Sequence, residues 1–252
     1  MDKDPFQLSQ PPQNCKVCQG NIQLIGEVDK NQTNLQPEPF EPSQTRVAYY
    51  QCDRCGFAWA PVFDTWPPKW FSEYIYNKDI AKVETGDNAH QRAANIIQMM
   101  QKWFKKSQRL RILDYGCGPG VLVEQLKKAG FDAEGYDPFY PGADTKPQKL
   151  YDVICCFEVL EHANMPHELI EEFASLLRPD GIIIIGTFLT SVPLDLNWWY
   201  VSPRGGHISF YTVESLSLLF ARFGFQVRSD RNVIHIAFNN PKSKLLKKCL
   251  SV

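Results

Sequence analysis

The sequence predicts an α/β fold, a doubly wound, mostly parallel sheet with a small N-terminal module in front of it. From residue 109 onward, short apolar segments alternate with amphipathic ones, as in parallel sheets that carry helices on both faces. In residues 1–61, two CxxC pairs stand in a polar, proline-rich segment, which is typical of a loop-rich module. The chain of 252 residues is long enough for one large domain and such a module.

Composition and charge restrict the class of protein. The chain is 44% hydrophobic and 22% charged, as in an ordinary globular protein, and its formal net charge of −1 gives no overall field that would attract nucleic acid or an anionic membrane. Its first residues lack the apolar core of a signal peptide, and its longest apolar stretch, GIIIIGTFL, is too short to span a bilayer. We therefore expect a cytoplasmic enzyme with reduced cysteines, no membrane span and no nucleic-acid partner.

We expect four regions along the chain: a module with a long polar loop at 1–61, a helical lead-in at 62–108, the large domain at 109–240 and a basic tail at 241–252. In the lead-in, apolar residues recur on one face of a helix predicted over 88–106. They are Ala89, Ala93, Ile96, Ile97, Met100, Trp103 and Phe104. The lysines of the tail predict a solvated end.

The large domain is predicted to consist of alternating strands and helices. The strands span 109–115, 131–137, 151–158, 181–188, 225–230 and 233–238. The helices span 121–130, 165–181 and 211–225. Thr212 is the expected N-cap of the last helix, and Gly224 is its expected stop.

The segment ILDYGCGPG, residues 112–120, places three glycines directly after the first predicted strand. Gly116, Gly118 and Gly120 permit positive φ and carry no Cβ, so a ligand can lie against the main chain. The helix that follows directs its free N–H groups and the positive end of its dipole at the same place. Asp137 ends the second strand, where a carboxylate can accept both hydroxyls of a ribose. We expect a nucleoside cofactor here; the alternative is a tight turn with a surface aspartate.

Two residues discriminate between nucleoside cofactors. In the dinucleotide pattern GxGxxG, the third small residue would fall at position 121, which is Val121. Asp114, before the turn, would repel a pyrophosphate, but it can meet the ammonium group of a cofactor that carries an amino acid. A nicotinamide dehydrogenase is therefore disfavoured.

Four motifs, in this order and spacing, resemble those of class I S-adenosylmethionine-dependent methyltransferases: ILDYGCGPG, AEGYDP, YDVICCFEVLEH and LLRPDGIIIIGT. The likeness covers about residues 90–240 and is strongest to the group that includes the ubiquinone-biosynthesis O-methyltransferases and many small-molecule methyltransferases. It implies a Rossmann-like methyltransferase sheet and S-adenosyl-L-methionine as the cofactor.

The resemblance also implies roles for individual residues. The residues that it places around the cofactor are Asp114, Gly116, Cys117, Gly118, Gly120, Asp137, Pro138, Phe139, Phe157 and Glu158. Of these, Asp114 and the glycine turn would hold the methionine moiety, Asp137 would accept the ribose hydroxyls, and Pro138 and Phe139 would flank the adenine. Phe157 and Glu158 would line the methyl-transfer site. Family members often carry an acid at the adenine amino group, and only Asp144 is available for that contact here.

Three residues in loops expected at the carboxyl edge of the sheet are candidates for catalysis. They are Glu161 and His162 in EVLEH, and His207 in WWYVSPRGGH. A histidine or a carboxylate can take a proton from a methyl acceptor. The alternative for His162 is a hydrogen bond at a helix end that shapes the loop. The aromatic segment around His207 is interpreted as a wall or lid over a ring-shaped substrate, or else as cover for an exposed sheet edge.

The two CxxC pairs predict a structural zinc site. Cys15, Cys18, Cys52 and Cys55 offer four soft ligands, and tetrahedral zinc accepts four thiolates. Gly56 follows the last of them, where a zinc knuckle turns tightly. Disulfides are disfavoured by a reducing compartment, and a redox CxxC needs no second pair. The arrangement resembles the N-terminal zinc modules of deoxysugar C-methyltransferases, which help to cover the substrate.

The sequence thus predicts methyl transfer from S-adenosylmethionine to an oxygen or carbon of a small-molecule acceptor, in an enzyme with a structural zinc. The alternative is an inactive methyltransferase-like scaffold that binds a protein partner through its zinc module. Asp114, Gly116, Gly118 and Asp137 favour the enzyme, because a scaffold has no physical need for that set. The acceptor, the atom methylated and the oligomeric state do not follow from the sequence.

Overall fold

The computed structural model describes residues 4–83, 86–104, 109–230 and 233–250. The chain forms two compact units, each assembled from three segments. Unit 1 comprises Met1–Glu84, Leu160–His167 and Phe188–Leu219, and unit 2 comprises Thr85–Val159, Glu168–Thr187 and Phe220–Val252. The N-terminal module with its cysteines therefore belongs to the same unit as two later segments that carry predicted catalytic residues.

The strands and helices of the described residues alternate from residue 111 onward. The strands are β1 (Ile22–Asp29), β2 (Arg46–Cys52), β3 (Ala58–Trp59), β4 (Arg111–Tyr115), β5 (Asp132–Tyr136), β6 (Tyr151–Phe157), β7 (Leu177–Gly186), β8 (Ser209–Phe210), β9 (Gln226–Asp230) and β10 (Ile234–Phe238). The helices are α1 (Pro68–Tyr74), α2 (Gly86–Trp103), α3 (Val121–Lys128), α4 (Pro166–Leu176), α5 (Val213–Ala221) and α6 (Lys244–Leu250). Short 3₁₀ turns span Pro61–Thr65, Lys78–Lys82, Leu160–His162 and Pro203–Gly205.

Unit 2 is built on a six-stranded sheet with the order β5-β4-β6-β7-β10-β9. The first four strands are parallel, and β10 pairs antiparallel with both β7 and β9. The chain runs from β4 to β5 on one side and then crosses to β6 on the other, so the strand order reverses beside β4. The predicted doubly wound, mostly parallel sheet is confirmed. Such a reversal is where open α/β sheets bind ligands, outside the carboxyl ends of the strands.

The central strands of this sheet are continuous apolar runs because both of their faces are covered. In β7, the four isoleucines at 182–185 are all 0% exposed, and the neighbouring Val153 and Ile154 of β6 are 0% exposed as well. The apolar stripe predicted for α2 packs into the same core, which contains Ala93 and Met100. Residues 105 and 106 of that predicted helix lie outside the described residues.

The predicted basic tail has a packed apolar face. Its residues 244–250 form α6, and Leu245, Leu246 and Cys249 are buried in the core of unit 2. The interpretation of these residues as a solvated end was wrong, because the two leucines and the cysteine share one helical face that the lysines leave free.

Several helix ends differ from the sequence-based prediction. The helix predicted over 211–225 ends at Ala221, three residues before its expected stop at Gly224, and the helix predicted over 121–130 ends at Lys128. The helix predicted over 165–181 ends at Leu176, and the next strand begins at Leu177 instead of at 181. Pro179 explains the early stop, because proline cannot continue a helix and restricts Arg178 before it to an extended backbone. The expected cap of α5 is confirmed, since Thr212 Oγ1 accepts a hydrogen bond from Ser215 N at 3.1 Å.

Unit 1 is built on a four-stranded antiparallel sheet with the order β1-β2-β3-β8. The hairpin of β1 and β2 encloses the long polar loop predicted from the sequence. Aromatic side chains supply much of the core, and Tyr49, Phe57, Trp59, Phe63 and Phe210 are at most 1% exposed. Among the helices of the described residues, not one has the length and apolar character that crossing a bilayer requires.

Candidate functional site

The glycine turn lies at the carboxyl end of β4, where the chain enters α3. Gly116, Gly118 and Gly120 have φ values of +78°, +49° and +80°, in the left-handed region that favours glycine. A Cβ on Gly116 would lie 2.4 Å from Cγ2 of Val159, so packing also requires glycine at that position. At Gly118 and Gly120, no described atom lies within 4 Å of such a Cβ. Within unit 2, the turn is therefore open where a ligand would approach its main chain.

Asp137 is held against this turn. It follows β5, the strand parallel and adjacent to β4. Its Oδ2 accepts a hydrogen bond from Gly118 N at 2.9 Å, and its Oδ1 accepts one from Phe139 N at 2.8 Å. The structure thus brings the predicted ribose-binding carboxylate and the glycine turn into direct contact. A half-buried carboxylate in this position can also accept hydrogen bonds from two vicinal hydroxyls.

The turn accumulates negative charge. Asp114 is 4% exposed, and burial, together with the charge of Asp137, raises the pKa of its carboxyl to about 7. Burial and the same two carboxylates raise the pKa of the Cys117 thiol to about 12, so it stays protonated. A bound cation would lower the pKa of Asp114 and stabilise its ionised form. The site therefore suits a positively charged ligand and not a pyrophosphate.

The remaining predicted cofactor residues occupy the ends of β5 and β6. Pro138 is exposed and Phe139 is half-buried in the turn after β5. Phe157 ends β6, and its ring lies so close to Gly186 that a Cβ there would be 2.3 Å from Phe157 Cδ1. Glu158, next in the chain, has a φ of +53°, a strained conformation for a residue with a side chain. Such strain is concentrated at functional sites.

Asp144, the acid considered for the adenine contact, lies in the loop between β5 and β6. It is exposed, and its Oδ1 accepts a hydrogen bond from Gly142 N at 3.3 Å, so its described contact is to its own turn.

The three predicted catalytic residues form a cluster within unit 1. One carboxylate oxygen of Glu161 and one ring nitrogen each of His162 and His207 lie within 4.8 Å of one another. The rings of His162 and His207 are edge to face, with centroids 4.8 Å apart. Burial, and then the neighbouring His207, lower the pKa of His162 well below its usual range, so His162 is neutral at pH 7. A neutral, enclosed imidazole next to a carboxylate can accept a proton.

Tyr200, which lies in the aromatic segment interpreted above as a wall or lid, completes this cluster, and its pairing with Glu161 was not predicted. Its hydroxyl donates a hydrogen bond to Oε1 of Glu161, which is 0% exposed. The main-chain oxygen of Tyr200 lies 2.8 Å from Nδ1 of His207, which orients that ring. Tyr200 is 39 residues from Glu161 in the chain, and no periodicity connects the two. Its burial among Phe188, Trp198 and His207 also shows that this part of the aromatic segment packs into unit 1.

The four cysteines of the CxxC pairs converge in unit 1. Each Sγ lies within 4.8 Å of the others, and the closest pairs are Cys18 with Cys52 at 3.4 Å and Cys15 with Cys55 at 3.7 Å. All four are free thiols, so the disulfide alternative is not what the structure shows. Gly56, with a φ of +70°, provides the tight turn after the second pair.

These residues pass a test for four-coordinate zinc. Thiolates about 2.3 Å from a common zinc in tetrahedral geometry lie about 3.8 Å apart, close to the observed distances. Main-chain N–H groups of Val17 and Cys55 donate to Sγ of Cys15 and Cys52, both at 3.4 Å, which favours thiolate character. The hydrogen bond between Cys15 and Cys55 lowers the pKa of the Cys15 thiol to about 5 and raises the pKa of the Cys55 thiol. The donor set is therefore that of a structural metal site.

A mostly parallel sheet with a glycine turn at its first strand and a carboxylate after its second defines a Rossmann-like, nucleoside-binding class of protein. Residues 88–230, more than half of the chain, match the family model described as "Methyltransferase domain", and the chain belongs to that family. The resemblance to methyltransferases predicted from the sequence is thereby confirmed.

Curated relatives agree with this family, and a solved structure agrees with the fold. The chain is 29% identical over 114 residues to a ubiquinone biosynthesis O-methyltransferase of Rickettsia canadensis, covering 36% of this chain and 48% of the relative. It is also 29% identical over 107 residues to the enzyme of the same name from Colwellia psychrerythraea, covering 33% and 44%. The chain thus spans about half the length of these curated relatives. The structure of the mitomycin 7-O-methyltransferase MmcR is similar in fold, with a TM-score of 0.52, 14% identity, and coverage of 66% of this chain and 59% of that one.

Proposed function

We propose that this protein transfers a methyl group from S-adenosyl-L-methionine to a small-molecule acceptor. The observation that carries the proposal is the open glycine turn, which is hydrogen-bonded to Asp137. Beside it lies the buried carboxyl of Asp114, whose ionised form a bound cation would stabilise. The curated relatives are named O-methyltransferases, which favours oxygen over carbon as the methylated atom. When bound, the cofactor supplies an activated methyl group on a sulfonium, so the protein's main tasks are to bind and to align.

The residues of unit 2 would bind the cofactor through complementary charge and hydrogen bonds. Asp114 and the turn Gly116, Cys117, Gly118 and Gly120 would hold the methionine moiety, because main-chain groups and a carboxylate match its ammonium and carboxylate ends. Asp137 would accept the ribose hydroxyls. The remaining candidates around the adenine and the methyl group are Pro138, Phe139, Phe157 and Glu158.

The residues of unit 1 would serve the acceptor. His162 offers a neutral imidazole, His207 offers a second imidazole oriented by a main-chain oxygen, and Glu161 offers a buried carboxylate. His162 is the base that we favour for a hydroxyl acceptor, because burial and the neighbouring His207 keep its imidazole unprotonated at neutral pH. Alignment of acceptor and methyl group can lower the barrier by roughly 7–11 kcal/mol, so the base is an addition to this larger effect.

Cys15, Cys18, Cys52 and Cys55 would bind one structural zinc ion. Four thiolates close the coordination sphere, and an ion without an open position has no part in the chemistry. Reduced thiols fit a cytoplasmic location, which stays part of this proposal.

Calorimetry with S-adenosylmethionine tests the proposed function. We expect saturable binding by the wild type and a loss of about 10- to 100-fold in affinity for Asp137→Ala, which removes two charge-assisted hydrogen bonds. Asp132→Ala is the matched control, because this exposed aspartate lies at the other end of β5. Binding of NADH instead, or no binding of S-adenosylmethionine by the wild type, would sink the proposal, and the second result would favour the scaffold.

A further inference from the structure

Unit 1 contains a cavity of about 270 Å³ that none of the predicted site residues lines. It is surrounded by residues of the N-terminal segment, by the loop that follows β1 and by the 3₁₀ turn Pro203–Gly205. The lining residues that determine its chemistry are Phe6, Lys30, Phe40, Tyr74, Asp79 and Arg204. The cavity therefore combines aromatic walls with two cationic side chains.

Arg204 is the buried cation of this cavity. It is 8% exposed, and its turn is closed by Ser202, whose Oγ accepts a hydrogen bond from Gly205 N at 3.2 Å. Its guanidinium donates to the main-chain oxygen of Ile75 at 3.2 Å and to Oδ1 of Asn77 at 3.0 Å. Both partners are neutral, and among the described residues no carboxylate lies within 4.0 Å of it. A buried cation without an ion pair is costly, unless a ligand supplies the anion.

The two cations rest on aromatic rings. Nζ of Lys30 lies 4.8 Å from the ring centroid of Phe6, and the guanidinium carbon of Arg204 lies 4.7 Å from the ring centroid of Phe40. Cation–π contacts hold a charge in place while leaving its remaining N–H groups available to an acceptor. The cavity thus presents fixed donors next to apolar ring faces.

The side chains that line the cavity carry a net positive charge. Asp79 is its only carboxylate, and Asp79 already pairs with Lys82, with Nζ and Oδ1 3.0 Å apart. Lys30 and Arg204 form no ion pair within 4.0 Å among the described residues, and Asp79 acts on Arg204 as a more distant charge. An anion that entered the cavity would meet two cations and one carboxylate, a net positive charge.

We propose that this cavity binds a small organic anion, with its carboxylate or phosphate group on Arg204 and Lys30 and a flat, apolar body against Phe6, Phe40 and Tyr74. Ligand pockets span roughly 300–1,000 Å³, so the cavity suits a single ring with one oxyanion group, or that end of a larger molecule. Arginine matches the planar oxyanions of both groups. The binding site stands whether or not the protein transfers methyl groups.

Calorimetry on the whole chain of 252 residues, loaded with zinc, tests this site with three probes. Benzoate and phenyl phosphate carry the two oxyanion groups, and benzamide is the neutral match of benzoate. We expect saturable, mutually competitive binding of the oxyanions at Kd values near or below about 1 mM, and at least about tenfold weaker binding of benzamide. Equal binding of benzoate and benzamide, or no saturable binding of either oxyanion, would overturn the proposal.

Variants that remove a positive or a negative charge from the lining of the cavity locate the site. We expect Arg204→Gln to weaken benzoate binding about tenfold or more, Lys30→Gln to weaken it about three- to tenfold, and Asp79→Asn to strengthen it. Lys69→Gln, an exposed lysine on α1, is the matched control and leaves affinity unchanged. If Arg204→Gln fails to fold, Lys30→Gln and Asp79→Asn decide the question, because unchanged affinity in both contradicts the site. Asp137→Ala keeps benzoate affinity, which separates this site from cofactor binding.

Discussion

At the scale of single residues, Asp114 illustrates how a binding group can reduce stability. Its carboxyl is buried beside Asp137, and its pKa rises from 3.8 to about 7. The folded chain therefore binds this proton more tightly than the unfolded chain does. By linkage, the stability contributed by protonated Asp114 is lost as the pH rises from about 4 to about 7.

Asp114→Asn tests this trade-off. The variant has no ionisable group at position 114. We therefore expect it to be more stable than the wild type above pH 7, by no more than about 4 kcal/mol, and equally stable near pH 4. Denaturant unfolding at several pH values measures the difference. Asp132→Asn, at an exposed aspartate, provides the control, and an unchanged difference between the two ends of this pH range contradicts the assigned pKa.

The same residue gives cofactor binding a pH dependence. Ionised Asp114 attracts a cationic ligand and protonated Asp114 does not, so affinity for S-adenosylmethionine is expected to rise between about pH 6 and pH 7.5. Asp114→Asn should bind weakly, with a flatter profile over this range. A wild-type profile as flat as that of the variant would argue against the assigned role.

At the scale of elements, two glycines in the turn between β4 and α3 are required for different physical reasons. Gly116 has no room for a side chain, because Val159 lies against it, whereas the space beside Gly118 is open. Both have positive φ. Of these two glycines, Gly118 is therefore the one at which a substitution can test ligand approach without creating a steric clash inside the fold.

Gly118→Ala is the corresponding prediction. The strain of an alanine at positive φ costs about 1–2 kcal/mol, and the added methyl group would occupy the space proposed for the cofactor. Gly142→Ala is a matched control, since Gly142 also has positive φ, at +89°, and, apart from its chain neighbours, no atom of the described residues lies within 4 Å of an added Cβ. We expect similar losses in thermal unfolding for both variants, and a loss of S-adenosylmethionine affinity in calorimetry for Gly118→Ala alone. Equal affinities would contradict the placement of the cofactor.

Elements formed by neighbouring residues could be predicted, and contacts across the chain could not. The strand, turn and helix around Gly118, the cap at Thr212 and the paired cysteines are each written in a few adjacent residues. By contrast, the bond between Tyr200 and Glu161 and the position of Arg204 beside Ile75 depend on segments that meet only in the folded chain. The packed face of α6 was missed because its lysines dominate a seven-residue segment.

At the scale of the whole molecule, the cysteine cluster is expected to control the stability of unit 1. A structural zinc contributes on the order of 10 kcal/mol of apparent binding free energy to folding. We expect one zinc per chain by atomic absorption, and its loss in Cys18→Ser with a lower melting temperature. Cys249→Ser, at a buried cysteine of α6, should retain the metal. Full zinc content in Cys18→Ser would contradict four-cysteine coordination.

The three-segment construction of unit 1 constrains the order of events during synthesis. Its last segment, Phe188–Leu219, follows its cysteines by more than 130 residues, with most of unit 2 encoded in between. Domains generally fold as units on the ribosome, and pairings distant in sequence form slowly. The cysteines of unit 1 are therefore synthesised before β8, the strand that completes the sheet of unit 1. Binding of the metal at that stage would protect the thiols from oxidation during translation.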